Sequence, residues 1–377
     1  MTKDLPAARS VDVGMMSRMF NNTTNSYKLV FFQALLKRIG QSDLVSGNSV
    51  FTLRELAIEM AAIAWYPHTF FHLSFGLQDQ LGSVLSRLDF SVDERSLGLA
   101  ETQRRLRDAI ATQYDAIGLE SILRFAPYRL LQPFFEDALR GRDDVKKNRL
   151  THDLANQAFM LDRPVLYRFV GVEDRAIELH PEWVKYIQGS LPIIEGWVLN
   201  HWTTYLQGRN PNTPAIPNKI TPPLERSALK KQTFYWRAAL EATPIRCLYS
   251  NEYLTPDRFA LDHFIPWSFV CHDQLWNLVP VQREANSAKG NRLPAERYIK
   301  GFIDLQIEGL ERTRLHLSEA EWEKATESFV SDLRISHEDL TCPDRLRAAY
   351  LDTVPPLISL ACRTGFSPNW DLDRATA

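Results

Sequence analysis

The first 208 residues show the apolar spacing of helices. Within residues 25–39, apolar side chains recur three and four positions apart, and Gly40 is placed to end the helix. Similar patterns predict further helices over 101–123, 129–140, 182–190 and 192–207. We therefore expect a helical domain over residues 1–208.

Two capping boxes mark further helix starts. Thr52 is followed by Glu55, which predicts a helix over 53–65. Ser318 is followed by Glu321 at the same spacing and predicts a helix near the C-terminal end of the chain. The helical pattern therefore occurs at both ends of the sequence.

Between the two helical regions the chain becomes rich in proline and basic residues. Residues 208–223 carry five prolines and no apolar periodicity, which is typical of an extended segment. Arg209 to Arg246 contains seven basic residues against two acidic ones. We predict a basic linker over 209–243, in which Lys231 is a candidate phosphate contact. A solvated helix face is the alternative interpretation.

Residues 244–294 show a third sequence pattern, which differs from the helical regions and from the basic linker. Strand-like runs occupy 245–249 and 259–265 and are followed by an irregular loop. A short helix is predicted over 281–290, where a glycine can end it. The predicted order is strand, strand, loop and helix.

This segment also contains several residues whose side chains can bind a metal ion or accept a proton. Asp262 and His263 lie at the end of the second predicted strand, and Asn286 precedes Lys289 on one helix face. Carboxylate and amide oxygens are ligands that Mg²⁺ prefers, and a neutral imidazole can accept a proton from water. Neighbouring strand residues point to opposite faces, so we do not expect Asp262 and His263 to bind the same ion. The pattern indicates phosphodiester hydrolysis.

The motif DH-x-IP-x-S, a central NL and N-x-x-K-G resembles the HNH endonucleases, also called ββα-metal or His-Me finger nucleases. The resemblance implies a role for each of five residues: His263 as the general base, Asp262 and Asn286 as catalytic metal ligands, Asn277 as structural support of the loop, and Lys289 as a phosphate contact. Arg292 is a further candidate phosphate contact. The resemblance also implies Mg²⁺ or Mn²⁺ as the cofactor. A structural zinc ion is not expected, because the four cysteines form no CxxC pair.

The fold expected from these patterns is mainly α. A helical body would carry an embedded ββα-metal finger at 244–294, and helices over 295–377 would pack back on the body. The resemblance implies a metal-dependent DNA endonuclease that leaves 5′-phosphate and 3′-hydroxyl ends, in bacterial restriction or anti-phage defence. Two alternatives stay open: an RNA-cleaving nuclease, and an inactive HNH-derived protein that binds nucleic acid or a regulatory partner.

The overall composition indicates what class of protein this is. The chain of 377 residues is 45% apolar and has a formal net charge of −2, which is ordinary for a globular protein and gives no overall signal for binding polyanions. The N-terminus has no hydrophobic signal core, and no segment is a good membrane span. We expect a cytoplasmic protein whose partner is DNA, with a homodimer or an effector of the helical domain as further candidates.

Overall fold

The structure is a computed structural model, and it describes residues 5–41, 49–92, 96–222 and 228–375. The chain divides into two compact units. The N-terminal unit comprises Met1–Pro211 and Ile216–Glu225, and the C-terminal unit comprises Asn212–Ala215 and Arg226–Ala377. Within the described parts of the chain, no helix combines the length and the apolar content needed to cross a bilayer.

The N-terminal unit is built mainly from α-helices. Their bounds are Val13–Ser17 (α1), Tyr27–Gln41 (α2), Leu53–Trp65 (α3), Gln80–Leu85 (α4), Ala100–Thr112 (α5), Ala126–Leu131 (α6), Glu136–Leu139 (α7), Asp144–Met160 (α8) and Pro181–Arg209 (α9). A π-helical turn, Tyr66–Phe70, extends α3 through a proline. The aromatic and aliphatic side chains of α2, α3 and α9 form the buried core.

The helix predicted over 53–65 is confirmed, including its capping box. The Thr52 hydroxyl accepts from the backbone N–H of Glu55, whose carboxylate accepts from the backbone N–H of Thr52. Gly40 was expected to end α2, but the helix continues to Gln41. The helices predicted over 182–190 and 192–207 form the single helix α9, with non-helical backbone angles at Ser190.

A small sheet was not predicted in this unit. Its strands are Val50–Thr52 (β1), Tyr167–Val170 (β2) and Ala176–Leu179 (β3), with β3 in the centre and both pairings antiparallel. Each strand has only three or four residues. Runs of this length carry too little alternation to be distinguished from helix segments by periodicity.

The C-terminal unit contains the predicted finger and the helices around it. Its elements are Lys230–Ala242 (α10), Ala260–His263 (β4), Trp267–Val270 (α11), Leu278–Val281 (β5), Arg283–Lys289 (α12), Arg297–His316 (α13), Glu319–Leu333 (α14), Pro343–Arg363 (α15) and Leu372–Ala375 (α16). The second predicted capping box is present at the start of α14. The fold is therefore mainly helical, with a small two-stranded finger in the last third of the chain.

The strand order of the finger corrects the sequence prediction. Segment 245–249 makes only an isolated bridge, between Arg246 and Tyr253. The antiparallel partner of β4 is β5, which follows the loop, and His263 lies opposite Leu278. All four side chains of β5 are buried, so this strand lacks the alternation that identifies a half-exposed strand.

Helix α10 lies inside the segment predicted as a linker. Its buried face includes Tyr235 and Trp236, which belong to the same hydrophobic core as Phe264 of the finger. A side chain at Gly309 of α13 would come within 2.8 Å of the Trp236 ring, so the glycine allows these two helices to pack closely. Lys230, Lys231 and Arg237 are therefore carried by a helix that packs against the finger.

Candidate active site

His263 is the last residue of β4, and its side chain is 13% exposed. Its Nε2 lies 2.8 Å from Oδ1 of Asp273, a residue of the loop between the two strands. A carboxylate accepts hydrogen bonds and cannot donate them when ionised, so the imidazole proton lies on Nε2. Nδ1 is then left with a lone pair that can accept a proton.

The loop that carries Asp273 is held by local and distant contacts. Cys271 adopts a left-handed conformation, with φ of 56°, and reverses the chain after α11. Gln232 of α10 donates from Nε2 to the backbone oxygen of Asp273 at 3.0 Å. In the sequence, Asp273 falls in the irregular loop after the second predicted strand and was not among the candidate site residues. The signal that could have identified it is an acidic residue ten positions after the histidine.

A second histidine, His272, borders the same loop. Its ring lies 5.4 Å from that of Trp276, centroid to centroid. Burial lowers the pKa of His272 below its ordinary value, and the nearby carboxylate of Asp332 only partly opposes this effect. The shift favours the uncharged form of His272, whose Nδ1 accepts from the backbone N–H of Gln274 at 3.4 Å.

Asn277 joins the two sides of the loop. Its side-chain oxygen accepts from the backbone N–H of Ile265 at 2.9 Å, and its Nδ2 donates to the backbone oxygen of Ile265 at 2.9 Å. The backbone N–H of Phe264 donates to the backbone oxygen of Asn277 at 2.9 Å. These bonds continue the β4–β5 pairing beyond His263, which restricts the position of the imidazole.

Replacing Asn277 by alanine is expected to destabilise the C-terminal unit by about 1–3 kcal/mol, because two backbone groups of Ile265 would lose their buried partners. Urea unfolding of both proteins measures the difference. Asn291→Ala, at a less buried position after α12, serves as the control. An unchanged midpoint for Asn277→Ala would contradict the structural role.

Helices that follow the finger also anchor its loop. Gln306 of α13 donates from Nε2 to the Leu278 backbone oxygen at 2.8 Å. Tyr350 of α15 donates to the backbone oxygen of Trp276 at 3.1 Å, and the Trp276 indole donates to Asp332 at 2.6 Å. The loop beside His263 is thus supported by three C-terminal helices.

Asp262 lies beside His263 on β4 but points into the protein, where it is 2% exposed. Its Oδ1 accepts from the Lys289 ammonium at 3.0 Å, and its Oδ2 accepts from the Tyr249 hydroxyl at 2.5 Å. Lys289 is 1% exposed and also donates to the backbone oxygen of His263 at 2.7 Å. The four groups form one buried polar cluster.

Tyr249 acts in this cluster as a neutral donor. Burial, together with the charge of Asp262, raises the pKa of the Tyr249 hydroxyl well above its ordinary value. The hydroxyl therefore keeps its proton at physiological pH and donates it to Asp262. Tyr249 was not among the residues selected from the sequence.

The remaining predicted residues lie around this cluster. Asn286 of α12 donates from Nδ2 to the backbone oxygen of Leu261 at 3.2 Å, next to Asp262. Arg292 donates to backbone oxygens at the end of α12, those of Ala288 and Lys289. Lys289 was expected to face a phosphate, but its ammonium is buried against Asp262. Its long side chain reaches inward from a helix that packs on β4.

The residues predicted to bind a divalent ion do not fit one in this conformation. Both oxygens of Asp262 accept from protein donors, and one of those donors is itself a cation. Asn286 offers a single amide oxygen. Among the described residues, no group of three or more His, Cys, Asp or Glu side chains could hold a metal ion. Mg²⁺ usually takes one or two protein oxygens and completes its coordination with water and substrate phosphate, so the obstacle here is the Lys289 ammonium at the Asp262 carboxylate.

Comparison with known proteins identifies this segment. The family model described as HNH endonuclease matches residues 247–295. The match includes Tyr249, both strands with the loop between them, and helix α12. None of the curated proteins matches the chain. The assignment therefore concerns the finger, which is the part of the chain that contains His263 and its partners.

Proposed function

Since residues 247–295 form an HNH endonuclease domain, we propose that the protein is an endonuclease that hydrolyses phosphodiester bonds in DNA and leaves 5′-phosphate and 3′-hydroxyl ends. The observation that carries this proposal is the His263–Asp273 pair at the end of β4. It supplies an oriented base at the position where the family motif has its histidine.

In the proposed reaction, His263 removes a proton from the attacking water. The carboxylate of Asp273 keeps the imidazole proton on Nε2, so that Nδ1 accepts the proton from water. A positioned general base of this kind typically contributes a factor of about 10²–10⁴ to the rate. Asn277 contributes by holding the strand end that carries the imidazole.

A groove beside the loop offers a path for the nucleic acid. It has a volume of about 720 Å³ and contains Asp273 at one side. On α10 it is bordered by Lys230, Lys231 and Phe234, and Phe234 is 55% exposed. Lysine side chains can contact phosphates and an exposed aromatic ring can stack on a base. On α14 the groove is bordered by two glutamates and one lysine, so we assign the phosphate contacts to its more basic α10 side.

Replacing Lys231 by alanine is expected to weaken DNA binding to a similar extent for all sequences, because a phosphate contact carries no base information. The dependence of log K on log salt should become shallower by about 0.9 if one duplex phosphate contact is lost. Fluorescence anisotropy over a salt series measures both effects. Lys300→Ala, which removes an exposed lysine of α13, is the control. Equal salt slopes for Lys231→Ala and the unmodified protein would contradict the contact.

The proposed activity is tested by incubating the protein with duplex DNA, single-stranded DNA and RNA. HNH nucleases generally use divalent metal ions, so each substrate is assayed with Mg²⁺, with Mn²⁺ and with EDTA. Metal-dependent nicking of plasmid DNA is the expected result, and end-labelling identifies the product termini. Cleavage of RNA alone would replace DNA as the substrate. No cleavage of any substrate would refute the nuclease proposal.

A second candidate function, phosphate binding without cleavage, is supported by the hydrogen bonds that occupy both oxygens of Asp262. Because its oxygens are occupied by Lys289 and Tyr249, the finger could bind a phosphate without cutting it. The same experiments distinguish the two candidates, since a clamp would retain DNA affinity and produce no nicks under any metal condition. Bacterial restriction or anti-phage defence is the setting we propose for an active enzyme, by analogy with the family.

A further inference from the structure

Lys289 provides a positive charge where the family resemblance expects a metal ion. Its Nζ lies 3.0 Å from Oδ1 of Asp262, and the exposed fractions of the two side chains are 0% and 3%. A buried ammonium and a buried carboxylate are each strongly disfavoured alone, and pairing offsets much of that cost. The pair therefore accounts for both charges without any bound ion.

The position of the ammonium follows from how α12 is fixed. Asn286 and Lys289 are three residues apart and so project from the same side of the helix. The hydrogen bond from Asn286 to Leu261 holds that side against β4, beside Asp262. Gly290 then ends the helix with φ of 53°, a conformation that favours glycine. The helix consequently directs Lys289 at the carboxylate.

We propose that the Lys289 ammonium is the resident counter-ion of Asp262, and that a divalent metal ion binds at this carboxylate only by displacing it. A metal ion and an ammonium at the same oxygen would repel each other. Lysine has a flexible four-carbon stem, so rotation about its side-chain bonds can move the ammonium away from the carboxylate. This inference rests on the proposed function, because it concerns the metal that the nuclease reaction would use.

Displacement of the Lys289 ammonium would also couple metal binding to substrate binding. Once expelled from the carboxylate, the Lys289 ammonium would need a new anionic partner, and a phosphate of bound nucleic acid is one. Metal and substrate would then bind cooperatively, since each favours the state in which the Asp262–Lys289 pair is broken. The unliganded protein, by contrast, keeps the pair closed and binds metal weakly.

The test compares Mn²⁺ binding by the unmodified protein and by Lys289→Met, using isothermal titration calorimetry and thermal unfolding without substrate. Methionine keeps an unbranched side chain but removes the competing charge. Mn²⁺ affinity is expected to rise by about 10- to 100-fold. At a 100-fold excess of Mn²⁺ over its Kd, the Tm of Lys289→Met should rise by about 5–10 °C.

Two controls make the result specific. Lys300→Met removes an exposed lysine of α13 and should leave Mn²⁺ binding unchanged. Adding Asp262→Asn to Lys289→Met should abolish the gain, because the displaced ammonium and the ion share that carboxylate. Lys289→Gln is a second variant, in case methionine prevents folding.

Equal Mn²⁺ affinity in Lys289→Met and the unmodified protein would overturn the proposal. So would a failure of both Lys289 variants to fold at every Mn²⁺ concentration, since the ion would then be unable to replace the ammonium. These readouts do not depend on cleavage. Gain of Mn²⁺ binding without nicking of any substrate would refute the nuclease proposal alone, whereas nicking without that gain would refute only the displacement.

Discussion

Replacing His263 by alanine is expected to reduce the rate of DNA nicking by about 10²–10⁴-fold while leaving DNA binding intact. The imidazole is the proposed proton acceptor, and its side chain is only 13% exposed, so its orientation is set by the protein. Single-turnover nicking with saturating enzyme measures the rate without a contribution from binding. Fluorescence anisotropy on uncleaved DNA measures affinity separately.

The control for this prediction is His316→Ala, which removes an exposed histidine at the end of α13. Its nicking rate should equal that of the unmodified protein. Equal rates for His263→Ala and the unmodified protein would show that another group activates the water. Loss of both binding and nicking in His263→Ala would indicate a structural role for the imidazole.

The Asp273→Asn variant tests, in the same nicking assay, which nitrogen of the His263 imidazole carries the proton. An asparagine amide can donate to Nε2, and this would move the imidazole proton to Nδ1, where it blocks acceptance from water. The nicking rate of Asp273→Asn should therefore fall between those of the unmodified protein and His263→Ala. Restoration of the rate by Asp273→Glu would show that the carboxylate charge matters, since glutamate keeps it.

The second large effect is expected for Asp262→Ala, which should destabilise the finger by about 3–5 kcal/mol. The substitution leaves the buried Lys289 ammonium without its ionic partner, and an unpaired buried charge is costly. Urea unfolding followed by tryptophan fluorescence measures the change. Hydrogen exchange of the β4 and β5 amides assigns it to the finger.

A double substitution separates the cost of breaking this pair from its net contribution. Asp262→Leu with Lys289→Met replaces both charges by apolar side chains, and such replacements are often close to neutral. The double variant is therefore expected to be more stable than Asp262→Ala. A loss below about 1 kcal/mol for Asp262→Ala would contradict the buried ion pair.

Parts of the finger and the starts of two helices outside it could be predicted from the sequence, because the motifs that specify them are compact. The helix that carries Asn286 and Lys289, its end at Gly290 and the two capping boxes depend on residues a few positions apart. Local spacing constrains such features strongly, because helix geometry places neighbours at three and four residues together. The family match at residues 247–295 agrees with that interpretation.

The partners of the site residues could not be predicted in the same way. Asp273 lies ten residues from His263, while Tyr249 and Lys289 lie 13 and 27 residues from Asp262. No local periodicity links side chains across such separations. The pairing of β4 with β5 was missed for the related reason that β5 is buried on both faces.

The sequence therefore established the residue types available for chemistry, the helices with strong caps and the position of the finger. Only the tertiary structure determined which charged side chain lies beside each site residue. Burial is the physical reason, because an ionised side chain removed from water must find a partner wherever the fold provides one. For Asp262 that partner is Lys289, and for His263 it is Asp273.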